Sequence, residues 1–201
     1  MSQSHAPSFP IALLLHERTC LVVGSGIEAA HRVRSLLAAG ARVRVVAVSP
    51  DADLSPVLVD PRVEHRAVPY DSRELKGVWL VVLADRNAEL AALIGADCEA
   101  RRVFFCAIDQ PGTSSFSHVA VARAGALTVA IGTEGSAPGL ARRLKLELER
   151  VFAESGVASF VERVSRAREA APPEERARVT NSLAARLRFT GTLAFEEPED
   201  T

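Results

Sequence analysis

Two glycines and an alanine, Gly24-x-Gly26-x-x-Ala29, stand directly after the apolar run Cys20-Leu21-Val22-Val23. At that spacing the first glycine permits a tight turn. The second lets the backbone approach a diphosphate, and the alanine lets a helix pack closely on its strand. The free N–H groups and the positive dipole end at the helix start then attract phosphate oxygens. Such a motif gains meaning only between a strand and a helix. Both are expected here, because Ala30, Val33 and Leu37 recur on one helical face and Gly40 supplies the stop. Gly24, Ser25, Gly26, Ile27 and Glu28 therefore form the expected cofactor-binding turn, with Val48 and Ser49 joining it from the tip of the next strand. Glu28 puts a carboxylate into the first helical turn, where it would repel a diphosphate unless it faces solvent. The second strand ends Ala47-Val48-Ser49-Pro50 without the acidic residue that usually holds ribose hydroxyls, and Asp51 is the nearest substitute. Arg42 and Arg44 lie inside that strand, so the residues alone do not separate NAD from NADP.

The second chemical candidate is Asp109, at the carboxyl end of the apolar run Val103 to Ile108. Open α/β sheets bind ligands at that end of their strands, and a carboxylate there can accept a proton. An Asp before Gln110-Pro111-Gly112 also makes an Asx-turn, and on local grounds alone that plainer role is preferred. Thr133, Ser136 and Arg142 cluster around a helix start. Their hydroxyls and guanidinium can face a substrate, while Ser136 also suits a helix cap ahead of Pro138 in the first turn. His118 is expected in a strand, where a lone histidine is usually structural. The three cysteines, Cys20, Cys98 and Cys106, are odd in number and widely spaced, and no metal-ligating constellation is expected.

These residues need a frame to position them. Strand, helix and strand from Cys20 to Val48 make a βαβ unit, whose crossover is right-handed and whose sheet is parallel. The alternation continues with strands at Arg62 to Val68, Val78 to Leu83 and Val103 to Ile108, and a helix at Asn87 to Ala100. Short strands at Phe116 to Val121 and Leu127 to Ile131 follow. A helix lined by Leu140, Leu144, Leu148 and Val151 comes next, then two amphipathic stretches separated by Pro172-Pro173. The fold class is α/β, a Rossmann-like parallel sheet followed by a small helical part too short to bury a core alone. Expected boundaries are 1–112 for the nucleotide-binding domain, 113–152 for a linking segment, 153–190 for the helical domain and 191–201 for an acidic, disordered tail.

The 201 residues include 48% hydrophobic and 24% charged residues with a net charge of −1. That balance argues against a general affinity for nucleic acid or anionic lipid. The helical part is locally basic, with seven arginines (163, 166, 168, 176, 178, 186, 188) against four glutamates (162, 169, 174, 175) between Val157 and Arg188. Arginine forks suit carboxylates, although a solvated face reads the same way. Ile11 to Leu15 is too short to span a membrane or to act as a signal peptide, so no membrane association and a cytoplasmic location are expected.

Together, Phe9-Pro10-Ile11, Leu21-Val22-Val23-Gly24-Ser25-Gly26, Leu36-Leu37-Ala38-Ala39-Gly40-Ala41, Trp79-Leu80-Val81-Val82, Arg101-Arg102-Val103-Phe104, Ile108-Asp109, Ser115-Phe116 and Val129 to Arg142 form a specific set. In it the chain resembles the siroheme synthase N-terminal module, the precorrin-2 dehydrogenase and sirohydrochlorin ferrochelatase family. The resemblance implies a homodimer with an NAD-binding Rossmann domain, an intertwined dimerisation segment and a small helical C-terminal domain. It further implies oxidation of precorrin-2, a cyclic tetrapyrrole bearing eight carboxylates, to sirohydrochlorin, with ferrous iron insertion in several members. Asp109 matches the family's catalytic aspartate, and Thr133 stands where a serine is common. Departures fall at Ser25, Glu28, His31, Asp85-Arg86-Asn87, Cys106 and Glu134, the last at a position that is usually glycine. A non-catalytic nucleotide- or tetrapyrrole-binding module on the same fold is the alternative that Glu28 and Cys106 permit.

Overall fold

A computed structural model describes residues 8–190. The expected tail at 191–201 lies outside the described residues. The chain forms two compact units, one of Phe9–His118 and one that runs from Val119 to residue 190.

In the first unit, β1 (Thr19–Val23), β2 (Arg42–Val46), β3 (Val63–Arg66), β4 (Val78–Leu83) and β5 (Phe104–Ala107) form one sheet in the order β3-β2-β1-β4-β5. Every pairing is parallel. α1 (Gly26–Ala38) follows β1 and α2 (Ala88–Arg101) follows β4. Alternation along the strands divides the core. Cys20, Val22, Val43, Val45, Leu80 and Val82 pack with Ala29, Ala30, Val33 and Leu36 of α1. Leu21, Val23, Val81, Leu83 and Phe105 pack with Ala91, Ile94 and Cys98 of α2. Burial on both faces explains why β4 reads as an unbroken apolar run, as parallel strands do.

β5 is an edge strand, and the chain folds back along it. Ser115 Oγ accepts from the Phe105 N–H at 2.9 Å and Ser114 Oγ accepts from the Ala107 N–H at 3.0 Å. The Ser115 N–H donates to the Phe105 carbonyl at 2.8 Å. This return explains why the expected strand at Phe116 to Val121 starts late. Phe116 packs on the first unit's core, and His118 lies in no strand.

The second unit begins with an antiparallel hairpin of β6 (Ala120–Ala124) and β7 (Leu127–Ile131), followed by α3 (Pro138–Ser155), α4 (Val157–Ala170) and α5 (Arg176–Ala184). Pro138 opens α3, where a missing N–H costs nothing. The cap residue is Ala137 rather than the expected Ser136. The Ser136 hydroxyl donates back to the Thr133 carbonyl at 2.5 Å, and Thr133 Oγ1 accepts from the Ala137 N–H at 3.3 Å. Thr133 thus does part of the work expected of Ser136. No described helix is long and apolar enough to cross a membrane.

Candidate functional site

The strand order reverses between β1 and β4, since the chain winds from β1 to β3 on one side and continues with β4 and β5 on the other. At such a switch point the loops after neighbouring strands part and leave a crevice. The β1–α1 turn stands on one wall of it. Gly24 has φ +120° and Gly26 has φ +91°, backbone that a side chain would strain. Space forbids a side chain too, because a Cβ on Gly24 would come within 2.6 Å of Asp85 Oδ1. Ser25 precedes α1 in extended backbone, and its side chain does not cap the helix. The first N–H groups of α1 are thus left for an outside acceptor. Ile27 is half exposed.

Glu28 does not point into the turn unopposed. Its carboxylate lies 3.6 Å from Arg32 one helical turn on, and it is about half exposed. The repulsion expected from its charge is therefore partly offset. Val48 and Ser49 lie just past β2 and are exposed. Asp51 is occupied locally: Oδ1 accepts from the Asp53 and Leu54 N–H groups at 3.0 and 2.9 Å. Its Oδ2 would lie 3.4 Å from a Cβ on Gly26, so the carboxylate borders the turn.

The arginines of β2 are committed elsewhere. Arg42 pairs with Glu17. Arg44 pairs with Glu64 at 3.0 Å and donates to the Glu74 carbonyl at 2.6 Å. Arg66, at the end of β3, binds Glu64 at 2.7 Å and the buried Glu74 at 3.1 Å. Hydrogen bonds from Arg66 first, and from Arg44, hold the Glu64 carboxyl below the usual carboxylate range.

Asp109 follows β5 and has a left-handed backbone, φ +57°. Aspartate tolerates that region better than most residues, yet a non-glycine there costs energy. Arg86 Nε and Nη2 donate to its Oδ2 at 2.7 and 2.6 Å. Three residues before it, Cys106 is buried and its thiol is pushed up by desolvation, partly countered by a hydrogen bond from Ser114. The His118 ring packs edge-on against Phe116 with centroids 5.3 Å apart. Desolvation, with the Arg32 charge adding to it, pushes His118 down to about 4, although the residue as a whole stays exposed.

Thr133, Ser136 and Arg142 belong to the second unit, on the β7–α3 loop and the first turns of α3. Arg142 is exposed and has no ion pair among the described residues, whereas Arg143 is bridged to Glu147. Glu134 has φ +50° and Gly135 φ +77°, so this loop runs through two consecutive left-handed positions. Within the first unit, the structure brings together Gly24, Gly26, Asp51 and Asp85, and separately Arg86 with Asp109. Asp85 and Arg86 stand among the departures from the family pattern, but their contacts with the glycine turn and with Asp109 were not expected from the sequence. The available signal was topological, since adjacent parallel strands release their loops at the same edge.

Residues 11–120 match the family described as "Putative NAD(P)-binding", which takes in more than half of the chain. The chain belongs to this family. Among curated proteins it is 36% identical over 153 residues to "Siroheme synthase 3" of Aeromonas hydrophila subsp. hydrophila, covering 75% of this chain and 33% of that protein. It is 36% identical over 144 residues to "Siroheme synthase" of Chromobacterium violaceum, covering 72% and 31%. The namesake from Gluconacetobacter diazotrophicus is 36% identical over 157 residues, covering 76% and 33%. The chain thus spans about a third of the length of these relatives. Among solved structures, "SirC, precorrin-2 dehydrogenase" superposes with a TM-score of 0.68 at 20% identity over 88% of this chain and 89% of that one. At that identity the likeness is one of fold.

Proposed function

We propose that this protein oxidises precorrin-2 to sirohydrochlorin with NAD, as one step of siroheme synthesis. The observation that carries the reading is the convergence of a diphosphate-accepting turn and an exposed carboxylate at one edge of one parallel sheet. The names of the siroheme synthases and of the superposed dehydrogenase supply the substrate class.

Gly24, Ser25, Gly26 and Ile27 would hold the diphosphate through backbone N–H groups, with Glu28 held aside by Arg32 and with Val48 and Ser49 flanking the ribose. Bound NAD supplies the hydride acceptor. The choice of NAD over NADP is supported by Arg42, Arg44 and Arg66, each already paired with a carboxylate, and by Asp51 beside the turn, which would repel a 2′-phosphate. Asp109 is the catalytic residue in this reading. As the macrocycle loses a hydride, Asp109 takes up the proton released from the same substrate, so that two electrons and one proton leave separately. Thr133, Ser136 and Arg142 would contact the substrate, Arg142 through one of its carboxylates. The protein works as a homodimer in the cytoplasm.

The test is anaerobic incubation of the protein with freshly generated precorrin-2 and either NAD or NADP, following reduced nicotinamide and the sirohydrochlorin spectrum together. Matched appearance of both with NAD is expected. Asp109→Asn should lower kcat by about 100- to 10,000-fold while leaving NAD affinity unchanged. Tetrapyrrole binding without turnover by the unaltered protein would instead make it a non-catalytic module. Ferrous iron added to the same mixture tests insertion into the product.

A further inference from the structure

Arg86 stands immediately before Asn87, whose side chain accepts from the Leu90 N–H at 3.0 Å and fixes the start of α2. From that stem its guanidinium grips a single oxygen of Asp109, with Nε and Nη2 donating to Oδ2 at 2.7 and 2.6 Å. Among the described residues nothing else donates to that carboxylate. The side chains are 78% and 59% exposed.

The pair is not needed to hold either loop. Asn87 already caps α2, and the chain after Asp109 is tied down by the Gln110 N–H to the Ala107 carbonyl at 3.2 Å and by Ser114 and Ser115 along β5. Its evident effect is chemical. Two N–H donors fill the lone pairs of Oδ2 while Oδ1 stays open, so the closed pair occupies one of the two oxygens that a substrate proton could reach. An exposed ion pair is also weak, because water competes for both partners. A guanidinium in such a pair is readily taken over by another carboxylate, since its fork fits any of them.

We propose that Arg86 is a positioning residue that exchanges partners: it covers Asp109 in the free protein and passes to a carboxylate of the substrate on binding, which uncovers Oδ2 for the proton. The inference rests on the dehydrogenase reading above, with Asp109 as proton acceptor. Arg86 stays protonated throughout. The hydride goes to NAD and the proton to Asp109. A substrate carrying many carboxylates therefore draws the guanidinium off Oδ2 as it binds.

The test titrates an octacarboxylic porphyrin into the unaltered protein, Asp109→Asn, Arg86→Gln and the double variant, with binding read from porphyrin absorbance and fluorescence. Asp109→Asn releases Arg86 and should tighten binding about two- to fivefold. Arg86→Gln should weaken it about tenfold, and Arg86→Lys should restore part of the loss. In the Arg86→Gln background, Asp109→Asn should bring no gain. That arm separates partner exchange from the mere removal of a negative charge near a polyanion. In turnover with precorrin-2, Arg86→Gln should raise KM and leave kcat within about threefold. Equal tightening with and without Arg86, or none in either background, overturns the exchange and leaves the dehydrogenase reading standing. Failure of the unaltered protein to bind the porphyrin overturns the dehydrogenase reading and the exchange with it.

Discussion

In Phe9–His118, four neighbouring strands each contribute a side chain with almost no solvent contact, namely Val22, Val45, Val82 and Phe105. From Val119 to residue 190 the buried apolar residues are Ala122, Ala124, Ala141 and Val157, three of them alanines. Leu140, Leu146, Val151, Leu187 and Phe189 stay exposed in that unit. The first unit closes a core between its sheet and its helices. The second arranges amphipathic elements whose apolar sides lack cover among the described residues, and this imbalance supports the homodimer proposed above.

The contrast can be broken most forcefully in the core. Phe105→Ala should cost the first unit about 3–5 kcal/mol in denaturant unfolding, whereas Val151→Ala should cost under about 1 kcal/mol. Thiol reactivity offers a second readout. Burial pushes Cys20 up to about 11 and Cys98 up to about 12, so both should resist a thiol reagent at pH 8 in the unaltered protein and react after Phe105→Ala. Equal losses at the two sites would erase the distinction between the units.

The next effect concerns assembly. Leu140 and Val151 are three helical turns apart and share a side of α3. Changing both to glutamate should shift sedimentation from dimer to monomer by about 2–4 kcal/mol of association free energy. The melting of the first unit should stay within about 0.5 kcal/mol. A dimer that survives both charges would place the association elsewhere.

Within the first unit, Gly24→Ala should weaken dinucleotide binding about tenfold or more, because both φ +120° and the Asp85 carboxylate oppose a Cβ. Gly112, with open space around its Cβ position, should accept alanine with no measurable loss in calorimetric titration. The smallest effect is a gain. Glu134→Gly relieves a left-handed glutamate and should raise the stability of the second unit by up to about 1 kcal/mol, or about 2–4 °C in Tm.

Legibility in the sequence followed the same division. Cys20–Val23, Val78–Leu83 and the glycines between strand and helix announced the parallel sheet, because burial on both faces demands continuous apolar runs. The strand expected from Phe116 was misplaced for a physical reason: its apolar alternation belongs to a segment that returns along β5. Ser136 had the composition of a cap, yet Thr133 met the backbone N–H after it. Arg86 and Asp109 were out of reach because they are 23 residues apart and meet only through the adjacency of β4 and β5. Glu134 is the opposite case. A position that is usually glycine in the resembling family is left-handed here, which gives the departure a physical meaning.

Ser114 and Ser115 have a further consequence. Exposed rims of β-structure recruit strands from other molecules through unspent N–H groups, which is how ordered aggregates begin. Here the Phe105 and Ala107 donors are taken by two hydroxyls of the same chain, so that rim offers a newcomer little to grip. Two serines thus shield the β5 rim from templating strands of neighbouring molecules.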